Sequence, residues 1–380
     1  MLRRLTIGLR YKHQDAWVGG VYYVRNLVRG FGLLPPSRRP QLVIVGGDKA
    51  ALKDLQQATG YPDLHRVSRT RIVRAPARSW PMSLLPAREP QLDLLLMGSP
   101  PGLEDRGVQW IPDLQEHRFP QFFPEEELQA RYRRNDDWLA RHRHVMVSSQ
   151  DVARDVETHY GRHGSRIHVV RFASFVDPPT DIAGLKARYG LPERYFICTN
   201  QFWKHKNHGV ALRALALGAA EDPPLVLTGR EEDYRDLDYA PGVRALADEL
   251  GLGSRVRFLG FIPREDQLGL TAGAVAVVQP SLCEGWSTVV EDAKALGRPV
   301  IASDIAVHRE QLDGRGDLFD PADPAALAAI LARYARSDPA PAPVDYRAAE
   351  RRFAEDLWRA VVEVERDFRR RRIDRLLLTG

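Results

Sequence analysis

At 380 residues, 44% hydrophobic and 28% charged, the chain is too apolar to be a disordered polymer and too long for one hydrophobic core, so two domains are expected. Its net charge of +5 is unevenly spread: residues 1–175 hold 27 Lys and Arg against 18 Asp and Glu, and the remainder 28 against 32. Cys198 and Cys283 are the only cysteines, which excludes a disulfide framework or a cysteine zinc site and suits a reducing cytoplasm.

Met1 to Arg10 has a basic lead but too short an apolar stretch for a signal peptide, and it reads as a first strand. Apolar strands are expected at 5–9, 42–45, 92–96, 108–111, 145–147 and 167–170, alternating with helical stretches. The pair Gly19-Gly20 reads as a loop after the first strand, ahead of a helix over 21–29. Asp177-Pro178-Pro179-Thr180 reads as a linker. The second half repeats the style with strands at 195–199, 225–228, 256–259, 274–279 and 300–303. A break at 337–343 precedes a long helix from about Tyr346, whose Trp358, Val361, Val362, Val364 and Phe368 have the spacing of a docking face. Its end mixes Arg369 to Arg372 with apolar residues, a composition suited to an anionic membrane surface. The longest apolar runs fall far short of the roughly 18–20 residues that cross a bilayer.

Near-continuous apolar strands alternating with helices indicate buried parallel sheet. The expected architecture is α/β: two doubly wound Rossmann-like domains, 1–177 and 178–344, facing a central cleft, with a terminal segment 345–380 crossing back to the first. In such sheets ligands sit at the carboxyl ends of strands.

The stretch 274–301 is the most specific. A strand feeds a loop ending in Glu284-Gly285, and a helix follows that closes at Gly297 before another strand. A helix N-terminus behind a Gly-containing loop offers backbone N–H groups and a positive dipole end to an anion. Acidic Glu284 beside it can accept from sugar hydroxyls. Thr288-x-x-Glu291 reads as a capping box, with Thr288 as N-cap and Glu291 folded back, which leaves Asp292 to reach a ligand.

These residues resemble the donor-site signature of the retaining glycosyltransferases of family 4 (group 1), E-G-F-G-x-x-x-x-E-A-x-A-x-G-x-P-V, found on the GT-B fold. The resemblance implies an enzyme that transfers a sugar from a nucleoside diphosphate donor. Glu284 takes the first acidic position and Asp292 the second, where Glu is usual; Glu291 stands one residue early, so either acid is a candidate for the ribose. The loop 199–208 resembles the one that supplies an Arg and a Lys to the donor phosphates. Lys206 matches the Lys, Asn200 or Gln201 stands where Arg is usual, and Lys204 can restore the charge. The pyrophosphate is assigned to Lys206, Lys204 and the helix start at Gly285, Ser287, Thr288 and Val289. Gly229-Arg230 and Phe261-Ile262 resemble loops that face the nucleotide, with the base near the second. Gly19 and Gly20 resemble the family's Gly-Gly loop toward donor or acceptor. His117 resembles a first-domain histidine near the donor sugar, positioning hydroxyls rather than acting as nucleophile.

No G-x-G-x-x-G opens a helix and there is no G-x-x-x-x-G-K-[ST], so dinucleotide oxidoreductase and NTPase readings are disfavoured. Asp236-Leu237-Asp238 reads as a solvated run rather than a metal site. No metal or other cofactor and no nucleic acid is expected. The loops 200–207 and 284–288 look most like bacterial surface-polysaccharide enzymes, many of which use GDP-mannose or related donors. This implies a saccharide or lipid-linked acceptor, and a cytoplasmic protein peripheral on the inner membrane face. Two other readings remain: a nucleotide-sugar epimerase or hydrolase, and a non-catalytic GT-B partner of an active transferase.

Overall fold

A computed structural model describes residues 4–11, 18–67, 92–100, 102–177, 179–337 and 345–378. Pro178 of the expected linker, residues 338–343 of the expected break and the first three residues lie outside these. The chain divides into two compact units: Met1–Pro112, Tyr132–Ala173 and Arg347–Gly380 form unit 1, and Asp113–Arg131 with Ser174–Tyr346 forms unit 2.

Unit 1 is built on a seven-stranded sheet of β1 (Thr6–Leu9), β2 (Gln41–Val45), β3 (Leu64–Val67), β4 (Leu94–Leu96), β5 (Gly107–Trp110), β6 (His144–Val147) and β7 (Arg166–Val169). Their order is β3-β2-β1-β4-β5-β6-β7, and every pairing is parallel. Strands buried on both faces explain the continuous apolar runs, as in Leu42, Val43 and Ile44, each 0% exposed. The sequence reading omitted β3 because only its ends, Leu64 and Val67, are apolar. It is an edge strand, and its His65 and Arg66 face solvent.

Gly19 and Gly20 do not form a loop. They lie in the first turn of the helix Val18–Leu33, whose Tyr23, Val24, Leu27, Val28 and Phe31 pack into the core. The first turn lacks intrahelical N–H partners, so glycine costs less there than in a helix interior.

The terminal helix Tyr346–Leu378 buries Phe353, Leu357, Val361 and Val364 at helical spacing. Within unit 1, the Phe353 ring lies where a Cβ on Gly30 would be 3.0 Å from it. Farther along, the Asp367 carboxylate accepts from Arg143 Nε at 3.0 Å, Arg371 Nε at 3.1 Å and His144 Nε2 at 3.2 Å.

Unit 2 contains β8 (Phe196–Cys198), β9 (Leu225–Thr228), β10 (Val256–Gly260), β11 (Ala276–Gln279), β12 (Val300–Ser303) and β13 (Asp317–Phe319). The order is β10-β9-β8-β11-β12-β13, again all parallel. Phe196 and Cys198 enter one core cluster and Ile197 the other, so the alternation of β8 supplies both faces of the sheet. β13, a three-residue edge strand, was also missed, because only Leu318 and Phe319 signal it. Strand order reverses between β8 and β11, which makes their carboxyl ends the switch point where doubly wound sheets bind ligands.

Candidate functional site

Two loops leave that switch point. The first follows β8 and contains the 3₁₀ turn Lys204–Lys206 before the helix His208–Leu217. Asn207 joins them at φ 53°, in the left-handed region that Asn tolerates better than most residues. The second runs from β11 through Pro280 to Trp286 and into the helix Thr288–Ala295.

The loops are stitched together. Leu282 N–H donates to His205 O at 2.7 Å, and the Asn207 amide donates to Pro280 O at 3.2 Å and to Pro321 O at 3.0 Å. Asn200, buried at 2% exposure, donates to Gln279 Oε1 at 3.0 Å. At the centre, Glu284 Oε1 accepts from Lys206 Nζ at 2.6 Å and from Gln279 Nε2 at 2.8 Å. Burial pushes the Glu284 carboxyl up, but the Lys206 ammonium and the hydrogen bonds to the carboxylate outweigh it, so it sits below its ordinary value. It is therefore a carboxylate at neutral pH, an acceptor beside a cation and a helix N-terminus.

Glycine is required once on this face. Gly229 approaches the first loop so closely that a Cβ there would lie 2.0 Å from Asn200 O. Its N–H donates to Gly260 O at 2.9 Å, and Phe202 N–H donates to Arg230 O at 2.9 Å. The ends of β8, β9 and β10 are thus held in one layer. Phe261 is 60% exposed while Ile262 is buried, and the Arg230 guanidinium stacks over the Phe261 ring at 4.8 Å.

The structure changes several assignments at the helix start. Ser287, not Thr288, is the N-cap: its hydroxyl accepts from Val290 N–H. The capping box fails because the chain turns helical one residue earlier than Thr288-x-x-Glu291 requires. Ser287 N–H donates to Gln311 Oε1 at 3.1 Å, which leaves Thr288 and Val289 to present the first-turn N–H groups. Glu291 is buried, its Oε1 accepting from Lys294 Nζ at 2.8 Å and Gln311 Nε2 at 3.0 Å and its Oε2 from Tyr346 OH. Asp292 is not a free acid either, since Arg264 Nη2 donates to it at 2.6 Å.

Lys204 faces away from this pair and bonds Asp236 Oδ2 at 3.1 Å. Residues two apart in a turn of three residues start about 120° apart, so Lys204 and Lys206 take different partners here. Asp236 is accordingly an ion-pair partner rather than part of a freely solvated run. His117 lies partly buried in the short helix Gln115–Arg118, and its segment groups with unit 2 rather than with the first half of the chain. Gln201 stays in the first loop, its amide nitrogen buried without a hydrogen-bond partner among the described residues.

Sequence reading missed Gln279, Gln311, Arg264 and His308. Gln279 carried a signal: a polar residue ending an apolar strand at 0% exposure. His308 Nδ1 lies 2.9 Å from Ser303 O and its Nε2 is buried without a partner among the described residues. Burial foremost holds this imidazole below its ordinary value, hence neutral. Among the described residues, no group of three or more His, Cys, Asp and Glu is placed to hold a metal ion.

Comparison with known proteins bears on this site. Residues 186–351 match the family described as glycosyl transferases group 1. A D-inositol 3-phosphate glycosyltransferase of Mycobacterium tuberculosis is 32% identical over 164 residues, which is 42% of this chain and 33% of the relative. The matched segment thus spans a third of the length of the curated relatives. The crystal structure of Anabaena HepE in complex with UDP and glucose superimposes with a TM-score of 0.61 at 18% identity, over 99% of this chain and 100% of that one. WaaG, a glycosyltransferase involved in lipopolysaccharide biosynthesis, gives 0.58 at 14% identity over 93% and 94%. The chain has the GT-B fold, and the segment that matches the glycosyl transferases group 1 family carries the Lys206–Glu284 pair, both stitched loops and the helix Thr288–Ala295.

Proposed function

We propose that this protein is a retaining, metal-independent glycosyltransferase that moves a hexose from a nucleoside diphosphate to a saccharide or lipid-linked saccharide acceptor in bacterial surface-polysaccharide assembly. The observation that carries the reading is the Lys206–Glu284 pair, part-buried at the switch point beside a helix N-terminus inside the group 1 segment.

Without ligand the two charges satisfy each other. A donor pyrophosphate competes for the Lys206 ammonium and the Thr288 and Val289 N–H groups, and its arrival releases Glu284 Oε1 toward the sugar hydroxyls. As the nucleotide departs, negative charge grows on the phosphates, and a fixed cation with a helix dipole stabilises it where water is scarce. The acceptor hydroxyl attacks on the face the nucleotide leaves, since among the described residues no second carboxylate is positioned as a nucleophile. His117 orients sugar hydroxyls. Phe261 with Arg230 offers the base a flat face, and Asp292 takes the ribose once Arg264 yields to it.

The loops 200–207 and 284–288 point to GDP-mannose or a related donor, while HepE was crystallised with UDP. Both nucleotides belong in the first test: thermal shift with GDP, UDP, dTDP, ADP and CMP, without added metal. One diphosphate should raise the melting temperature and do so equally in EDTA. No shift from any of them would sink the donor assignment and turn the reading toward a non-catalytic GT-B partner. Asn200 or Gln201 in the place of the usual Arg is the observation that favours this second reading.

A further inference from the structure

Tyr346 occupies an unusual position in the chain. It is the last residue of unit 2 and the first of the terminal helix, while Ser174 is the residue at which the chain re-enters unit 2. The two meet: Ser174 N–H donates to Tyr346 Oη at 2.9 Å, and the Tyr346 hydroxyl donates its own proton to Glu291 Oε2 at 2.5 Å. All three residues are buried, at 1%, 6% and 2% exposure. Glu291 belongs to the helix Thr288–Ala295, and its other oxygen is taken by Lys294 and Gln311. The same Gln311 amide bonds Ser287 on both sides, accepting from its N–H and donating to its carbonyl at 2.7 Å.

A continuous set of short bonds therefore runs from the cap of the candidate phosphate-binding helix to two points where the chain passes between units. We propose that Tyr346 and Glu291 form a positioning relay, in which Glu291 is an anchor rather than a ligand contact and donor binding at Ser287 to Val289 is felt at Ser174 and at the first turn of the terminal helix. The chemistry suits the role. A phenol that donates to a carboxylate while accepting from a buried amide has one satisfied geometry, and breaking it strands buried polar groups. The ligand-facing task is left to Asp292, whose carboxylate accepts from the displaceable Arg264 guanidinium. The inference rests on the proposed donor site.

Hydrogen exchange on the full chain tests it, with UDP and GDP as probes. In the parent protein the bound diphosphate should slow exchange in the helix Thr288–Ala295 and also at Ser174 and in the first turn after Tyr346. In Tyr346→Phe, which keeps the ring and removes one hydroxyl, protection of the helix should remain while the protection at Ser174 is lost. Ser174 should exchange about tenfold faster in that variant without ligand. Protection reaching Ser174 equally in both proteins, or never reaching it in the parent while the helix is protected, overturns the relay. If neither diphosphate protects the helix, the donor assignment fails by itself, and the ligand-free comparison decides: faster exchange in the helix Thr288–Ala295 of Tyr346→Phe supports the relay, and no change there overturns it.

Discussion

The Lys206–Glu284 pair joins two residues that sequence reading had assigned to different parts of one substrate. Their mutual contact predicts how each fails alone. Glu284→Ala should abolish transfer with the circular-dichroism spectrum and melting behaviour of a folded protein. Lys206→Ala should weaken nucleoside diphosphate binding far more than nucleoside binding in calorimetric titration. It also leaves a buried carboxylate without its cation, a loss of roughly 3 kcal/mol in denaturant unfolding. With Lys206 gone, burial dominates and the Glu284 carboxyl should titrate above its ordinary value, the reverse of its state in the parent. Gly229 gives a second residue-scale prediction. A methyl group there meets the Asn200 carbonyl at 2.0 Å, and the neighbour is backbone, which cannot swing aside. Gly229→Ala should cost about 2–4 kcal/mol of unfolding free energy; a change below about 0.5 kcal/mol would show that the close approach is not needed.

At the scale of elements, the cap of the helix Thr288–Ala295 separates two readings of the same five residues. Sequence spacing selects Thr288 because Glu291 stands three residues on. The structure selects Ser287, because Gln311 from the neighbouring helix Ala306–Leu312 clamps it on both backbone atoms and starts the helix there. Ser287→Ala should therefore cost about 1 kcal/mol and Thr288→Ala much less; equal losses in chemical unfolding would restore the sequence-derived cap. The same contrast runs through the strands. Those in the middle of each sheet, such as 42–45 and 225–228, are legible since burial on both faces demands an apolar run. β3 and β13, edge strands with only two apolar residues each, are not, although the other edge strands, β7 and β10, are.

At the scale of the whole molecule, burial of histidines sets the response to acid. His144 lies at 0% exposure between His168 Nε2 at 3.0 Å and Asp367. Burial foremost lowers it to about 4, against Asp367, which raises it, while His168 and Arg166 add to the lowering. Burial likewise takes His208 down to about 3, and His142, His168, His205 and His308 move the same way. Each folded value lies below the unfolded value near 6.5, so the unfolded chain binds more protons between the two. Stability should be complete above about pH 6.5 and fall as pH drops toward 4, with His144 alone contributing on the order of 3 kcal/mol. Chemical unfolding at pH 7 and pH 4.5 measures this, and equal midpoints would refute it. His144→Asn should flatten that part of the profile.

The sequence by itself determined the class of fold and the address of the candidate site. Continuous apolar strands between helices indicate buried parallel sheet, and a strand, an acidic Gly loop and a helix start mark the candidate site. What only the tertiary structure decided is which polar groups meet. Lys206 and Glu284 are 78 positions apart, as are the partners Asn200 and Gln279 at 79, and no local spacing records such a pairing. The two adjacent acids show the reason most clearly. Glu291 and Asp292 differ by one residue, hence by about 100° around the helix. That angle hands one to Tyr346 and Gln311 and the other to Arg264, by the placement of helices that lie far away in the chain.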